Sequence, residues 1–324
     1  MIRPYVSVVI ITYNQDQYIH QAIDSVLEQT DCREIEIIVG DDASTDNTKK
    51  ILEEYKKKHP NVFTIISRKN NLGPSSNLYE LFSHCTGEFV ALLEGDDFWT
   101  NPRKLKEQTD FLEINESHVA CTHRYKVVDE SGGVLLDEYH GVGRPKLGVY
   151  TLEDFQNYKY FGLLSSLVFR NILINEEVDY SIIKNGDNFI ADITLNLFLC
   201  FQGKVEVLDI NMAAHRMIVN ANGTNYKSII QKSNQIMSRI LYLERLEEYA
   251  KKHHKYKLTY VNRREYYFAW SILFFMRYPS MHNFRVLIFT YKYNNSKARL
   301  FWYLASNIGK LSFQIKKQVK SFFS

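Results

Sequence analysis

Cysteine is scarce in this chain, and each one stands alone. Cys32, Cys85, Cys121 and Cys200 are scattered through 324 residues without the short paired spacings of a disulfide framework or a structural zinc site. They read as reduced core residues, and the compartment they suggest is the cytoplasm. Neither glycine-rich phosphate signature occurs: there is no G-x-G-x-x-G and no G-x-x-x-x-G-K-[ST]. No internal repeat and no low-complexity segment is found, which argues against a solenoid or a biased linker. The chain opens Met1-Ile2-Arg3-Pro4-Tyr5 and runs straight into a strand-like apolar stretch, so no signal peptide is expected. Acids almost vanish toward the end. From residue 251 onward there are 15 lysines and arginines and one acid, Glu265, whereas the preceding residues hold 25 bases against 36 acids.

What remains is a composition suited to a full core, 45% hydrophobic and 24% charged, at a length that fits one large domain with an appendage or two domains. Four apolar runs, at residues 6–11, 35–39, 62–66 and 89–93, alternate with segments of helical spacing at 16–29, 46–59 and 75–84. In the second of these, Ile51, Leu52 and Tyr55 share a face, Ser44 or Asp46 offers an N-cap, and Pro60 ends the segment. Strands that are apolar throughout and separated by helices imply a parallel sheet covered on both faces. Farther along, 101–115 and 192–201 read as helices, and Gly203 closes the second. Residues 119–128, 133–136 and 205–208 read as strands, 141–145 as an exposed loop, and the chain from about 226 as mostly helix, broken near Pro279.

In an open α/β sheet, ligands bind beyond the carboxyl ends of the strands. Three of the four predicted strands end there in polar clusters: Thr12-Tyr13-Asn14, Asp41-Asp42-Ala43-Ser44-Thr45-Asp46, and Glu94-Gly95-Asp96-Asp97. Turn and cap chemistry accounts for any one of them. It gives no reason for three acids within four residues. Adjacent carboxylates repel and are tolerated where a cation neutralises them, and oxygen ligands suit Mg²⁺ or Mn²⁺. A nucleotide diphosphate bound without a phosphate loop needs such a metal.

With those residues in view the sequence resembles family 2 glycosyltransferases of the GT-A fold. The resemblance rests on residues 6–14 (VSVVIITYN), Asp41 to Asp46, Asn71-x-Gly73 with Asn77, Gly87-Glu88-Phe89 and Glu94 to Trp99, and it covers roughly the first hundred positions. It implies a Rossmann-like, mostly parallel α/β sheet with helices on both faces and a mainly helical C-terminal extension. The expected division is a catalytic domain at 1–222 and a basic, aromatic-rich region at 223–324. The resemblance also implies a nucleotide-sugar donor, commonly UDP-linked, a divalent metal, and inversion at the anomeric carbon. By the same resemblance Thr12 and Tyr13 would line the uridine site with Asn14, Ser44 and Asn77 nearby, and Asp42 would accept a hydrogen bond from the base. Asp96 would sit near the ribose or the metal, and Asp97 would ligate the metal. Glu94 stands where many relatives have Asp.

Inverting transfer needs a carboxylate to take the acceptor hydroxyl's proton. In relatives this acid opens a helix that ends in Gly-Lys before a strand, which here is Asp192 to Val205. Asp192 is therefore the expected base, with Asp187 as its rival. Many relatives carry a metal-proximal His in a Tyr-Arg-x-His pattern. This chain reads His215-Arg216-Met217-Ile218, so either His215 serves from a shifted register or the metal is held differently. Arg216 is a candidate contact for the diphosphate or acceptor.

The basic end interleaves its charges with Trp270, Phe274, Phe275, Phe289, Phe301, Trp302, Phe322 and Phe323, and its longest uncharged run, Tyr266 to Met276, has 11 residues. About 20 are needed to cross a bilayer. The pattern suits the surface of an anionic membrane, which makes a lipid-linked saccharide a natural acceptor and places the protein peripherally on the inner face of the cytoplasmic membrane. No nucleic-acid motif accompanies the charge. A sugar nucleotidyltransferase would carry a glycine-rich basic loop near its start, and Thr12-Tyr13-Asn14 is not one. The alternative from another class is a degenerate, non-catalytic saccharide-binding scaffold at the membrane.

Overall fold

The computed structural model describes residues 4–136, 147–157, 160–218, 236–258 and 261–293. The expected loop at 141–145, helix at 226–235 and aromatic residues Phe301, Trp302, Phe322 and Phe323 lie outside them. The chain divides into two compact units, Met1–Ile229 and Ile230–Ser324.

The first unit opens with β1 (Val6–Thr12), α1 (Ile19–Leu27), β2 (Ile35–Asp41), α2 (Thr48–Lys58), β3 (Phe63–Ser67), α3 (Pro74–Phe82) and β4 (Phe89–Glu94). Every residue of β1 is buried, as an apolar strand covered on both faces must be. The covering helices supply matching stripes: Ile19, Ala22, Ile23 and Val26 of α1 recur at helical spacing and are fully buried. Ile19, Ile23 and Val26 each contribute about 1.5–3 kcal/mol by leaving water. Asp46, one residue before the cap position, accepts the Thr48 N–H at 2.9 Å and opens α2.

Next come β5 (Phe98–Trp99), α4 (Lys104–Ile114), β6 (His118–Val128), β7 (Val134–Leu136), β8 (Gly148–Tyr150), α5 (Leu152–Gln156), β9 (Val168–Arg170), α6 (Ile182–Gly186), α7 (Ala191–Gln202) and β10 (Lys204–Arg216). Among the described residues these strands form one sheet in the order β3-β2-β1-β4-β9-β6-β10-β5, with β7 beside β6 and β8 beside β10. The long pairings, β1 with β2 and β4, β2 with β3, and β6 with β10, are parallel. The short strand β9 is antiparallel to both β4 and β6 and joins the two parallel blocks. β10 runs far beyond the expected 205–208. Its polar residues and register shifts hide the strand pattern from the sequence.

The second unit contains α8 (Ile236–His254), α9 (Val261–Arg277) and α10 (Met281–Lys292). Buried Ile240, Leu243 and Leu246 of α8, Phe268 and Ala269 of α9, and Val286 of α10 form its interior. Arg264 donates to Glu247 at 2.6 Å, Ser271 and Thr290 hydroxyls meet at 2.7 Å, and Ser280 caps α10 by accepting the Asn283 N–H. Among the described residues no helix is long and apolar enough to cross a membrane.

Candidate active site

The carboxyl ends of β1, β2 and β4 lie side by side, because Thr12 pairs with Asp41 and Ile11 with Glu94 in parallel register. The loops that leave β1 and β2 are sewn together. Ser44 Oγ accepts the Asn14 N–H at 2.9 Å, Thr48 Oγ1 accepts the Gln15 N–H at 2.9 Å, and Asp46 accepts the Asp16 N–H at 3.1 Å. Asn14 Oδ1 in return accepts the Thr45 N–H at 2.8 Å. Asn14 and Ala43 take positive φ values of 52° and 67°, a conformation such a latch can hold in place. Thr12 Oγ1 donates to Gln15 Oε1 at 2.8 Å, and Gly95 comes so close to both residues that a Cβ there would collide with them. The loop after β4 thus rests directly on the loop after β1.

Asp97 is the fixed point of this edge. Its side chain has no exposure. Oδ1 accepts the Arg216 N–H at 2.9 Å and faces His215 Nδ1 at 3.1 Å, and Oδ2 accepts the Ser165 hydroxyl at 2.6 Å. The antiparallel pairing of Phe98 with Ala214 and Trp99 with Ala213 brings the end of β10 to this point. Ser165 also accepts the Glu94 N–H at 3.1 Å, and its carbonyl accepts the Trp99 indole N–H at 2.9 Å. Both oxygens of Asp97, the residue expected to ligate a metal, thus meet protein donors in the interior.

The neighbouring acids differ. Burial, followed by the charges of Asp97 and Asp96, pushes the Glu94 carboxyl well above the usual range, against the opposing pull of His215. Burial and Asp97 push Asp96 up to about 6, again opposed by His215 and by Arg216. His215 is carried up to about 9, because Asp97, by charge and hydrogen bond, with Glu94 and Asp96 behind it, outweighs the burial that would lower it. Asp192, on the first turn of α7, is close enough for its charge to raise Glu94 further. Two stretches of chain nearly a hundred positions apart thus share one field. Asp187 does something else: it ends α6, and its Oδ1 accepts the Phe189 N–H at 2.8 Å in a local turn.

Several expected donor-binding residues are occupied elsewhere. Arg216 is 4% exposed and four of the five donors of its guanidinium meet protein acceptors: Nε donates to the Asp96 carbonyl, Nη1 to the Asp129 and Glu130 carbonyls, and Nη2 to Gln21 Oε1 at 2.6 Å. It also lies 4.7 Å from the Tyr18 ring centroid. These bonds brace the Asp96–Asp97 turn. Asn77 also has protein partners. It is buried, donates to the Gly40 carbonyl at 2.9 Å and accepts from Arg68 at 2.7 Å, behind the sheet edge. Asp42 is 2% exposed, and its two oxygens accept the Leu72 and Gly73 N–H groups at 2.9 and 2.8 Å. Asn14 and Ser44 form the latch between the loops. Thr12 and Tyr13 stay at the strand end, with Tyr13 half-buried.

Sequence reasoning missed Ser165, although two serines inside the apolar run Leu163 to Val168 are a signal that buried polar groups have partners there. It also missed Lys104, which is fully buried with its Nζ 4.1 Å from the Trp99 ring centroid and no hydrogen-bond partner. Burial brings its amine down to about 7. His123, within reach of that charge and fully buried, is lowered by burial to about 3.

The donor set is compatible with a hard divalent cation. Glu94 and Asp96 are crowded carboxylates whose ionised forms a cation would stabilise, and His215 stands beside them with its Nδ1 on Asp97. Among the described residues no three acidic, histidine or cysteine groups surround a common point. Cations bound largely through substrate phosphates and water need only one or two protein carboxylates.

A profile of the family described as Glycosyl transferase family 2 matches residues 7–173. An uncharacterized protein of Mycobacterium tuberculosis is 40% identical over 126 residues, which are 39% of this chain and 36% of that protein. A GalNAc(5)-diNAcBac-PP-undecaprenol beta-1,3-glucosyltransferase of Campylobacter jejuni is 28% identical over 173 residues, 53% of this chain and 54% of that enzyme. These matches thus span about a third to a half of the curated relatives' own length. The crystal structure of S. aureus TarS residues 1–349 in complex with UDP-GlcNAc superposes with a TM-score of 0.53 at 18% identity, over 88% of this chain and 79% of that one. That likeness is one of fold.

Proposed function

Because this chain belongs to glycosyl transferase family 2, we propose that it moves a sugar from a nucleotide sugar, UDP-linked by preference, to a hydroxyl of a saccharide or lipid-linked saccharide, with inversion at the anomeric carbon. The observation that carries the reading is the convergence of Glu94, Asp96 and Asp192, from β4, the turn after it and the start of α7, all half-buried and sharing one field at the sheet edge. A saccharide-binding scaffold has no use for crowded acids that repel one another.

In this reading Thr12 and Tyr13 border the base, and Asp42 shapes the wall by pinning Leu72 and Gly73. Asp96 and His215, the latter after loss of its ring proton, would hold a divalent cation, with Glu94 beside them. Such an ion, Mn²⁺ or Mg²⁺, supplies positive charge to the departing diphosphate. Asp97 is a positioning residue: it fixes His215 from one side while Ser165 fixes Asp97 from the other. Asp192 accepts the proton of the acceptor hydroxyl. The oxygen attacks the anomeric carbon from the face opposite the nucleotide, and the bond from that carbon to the diphosphate oxygen breaks as the nucleoside diphosphate leaves with its electron pair.

The lipid-linked class of acceptor is favoured by the basic, aromatic C-terminal region, which we read as the part that meets a membrane surface, and by the undecaprenol-linked saccharide on which the Campylobacter relative acts. The test is a melting-temperature screen of UDP- and GDP-sugars with and without Mn²⁺, followed by release of free nucleotide. A donor at about 100 times its Kd should stabilise the fold by roughly 2.7 kcal/mol. A metal-dependent shift with one nucleotide class, accompanied by slow donor hydrolysis, supports the reading. A well-folded protein that neither binds nor hydrolyses any donor overturns it in favour of the scaffold.

A further inference from the structure

We propose that the outward face of α10 is a docking surface for an anionic lipid bilayer. The inference rests on the membrane reading of the C-terminal region and names the side chains that carry it. Met281, Phe284, Ile288 and Tyr291 recur at intervals of three and four, forming one stripe along the helix, and they are 69%, 42%, 41% and 42% exposed. The opposite face, with Asn283, Val286 and Thr290, is buried. Exposed apolar surface continues on the segment just before α10, where Met276 at the end of α9 is 72% and Tyr278 46% exposed.

Six large apolar or amphipathic side chains along α10 and the end of the helix before it are more than isolated surface apolar residues require. Their surroundings select the partner. Arg277, Arg285 and Lys292 are exposed on the same segment, and no Asp or Glu occurs in the sequence after Glu265. Glu265 itself is 3% exposed and does not reach the surface. A second copy docked on this face about a twofold axis would set these bases against their own kind, which like-charge repulsion opposes. Nucleic acid offers phosphates but no apolar phase for methionine, isoleucine and phenylalanine to enter. An anionic bilayer offers both: acyl-chain boundary for the stripe and headgroup charge for the rim.

The test uses the full chain and sedimentation with vesicles of phosphatidylglycerol and phosphatidylcholine, against pure phosphatidylcholine. Three variants accompany it: Met281→Ser/Phe284→Ser/Ile288→Ser, Arg277→Gln/Arg285→Gln/Lys292→Gln, and Phe284→Trp. The wild type should partition onto the anionic vesicles and come off as salt rises. The apolar triple variant should lose about tenfold or more in partition, and the basic triple variant should lose its preference for anionic lipid. Phe284→Trp should shift its emission to the blue on anionic vesicles alone, a gain of signal that needs no loss of fold. Donor-induced melting shifts, measured on all variants, keep the catalytic reading separate. If the wild type ignores anionic vesicles, both the surface and the membrane reading fall. If it binds but the apolar variant binds equally well, the face is wrong while the wider reading survives. If that variant only turns a dimer into a monomer, the face belongs to self-association and the proposal is overturned.

Discussion

The hydroxyl of Ser165 donates to Asp97 Oδ2 across 2.6 Å, although 68 positions of chain separate the two residues. Asp97 has no exposed side-chain surface, and its other oxygen is taken by the Arg216 N–H and by His215. A buried carboxylate held by three donors cannot be neutralised without leaving donors unmatched. Asp97→Asn should therefore destabilise the first unit by about 2–4 kcal/mol. Urea unfolding monitored by circular dichroism reads this directly, and an unchanged midpoint would contradict the positioning role.

Asp96→Asn should act in the opposite way. Burial and the charge of Asp97 hold Asp96 up to about 6, so removing its charge relieves repulsion. The fold should be as stable as the wild type or slightly more so, while the Mn²⁺-dependent part of the donor melting shift disappears. A variant that retains the full metal effect would remove Asp96 from the proposed ligand set.

Asp192→Asn should lower kcat by roughly 10²–10⁴, the usual contribution of a general base, with the donor melting shift intact. Asp187→Asn, whose carboxylate serves a turn at Phe189, should change kcat by less than about tenfold. Equal losses in the two variants would leave the base unassigned to Asp192.

Lys104 makes a prediction about pH. Its amine lies at about 7 in the folded protein, below the ordinary 10.5, because burial penalises the charge more than the Trp99 ring face offsets it. Between those two values the unfolded chain holds more protons, so this group's contribution to stability rises with pH from about 7 to 10.5 and is smallest below about 7. Lys104→Met should remove that slope. The variant should exceed the wild type by on the order of 3–4 kcal/mol near neutrality, converging toward pH 10.5. Paired denaturation curves across this range settle the sign.

Much of this architecture was legible in the chain. The runs at 6–11 and 89–93 are apolar without alternation, and only strands buried on both faces read that way. The three polar clusters fell at one sheet edge for the same reason. Side-chain roles within the clusters were not legible, since the direction of a carboxylate in a turn depends on partners far off in sequence. Asp97 turns inward because Ser165 and Arg216 are there to meet it. The bracing role of Arg216 was hidden because its four acceptors are three main-chain carbonyls and a glutamine, which leave no charge signature. The full length of β10 was hidden by Glu206, Asp209 and Asn211, polar residues in a strand whose register shifts twice near that stretch.

β10 also fixes the order in which the site is completed as the chain emerges from the ribosome. It pairs with β6 and with β5, and it carries the two residues, His215 and Arg216, that close around Asp97. The first four strands and their helices can collapse as soon as they are synthesised, but the Glu94 to Asp97 turn must wait for more than a hundred further residues before its last partners arrive. Until then it is an acidic loop lacking its brace and its histidine. A ribosome stalled before residue 204 should therefore hold a nascent chain with its first parallel strands folded and its acidic edge unformed.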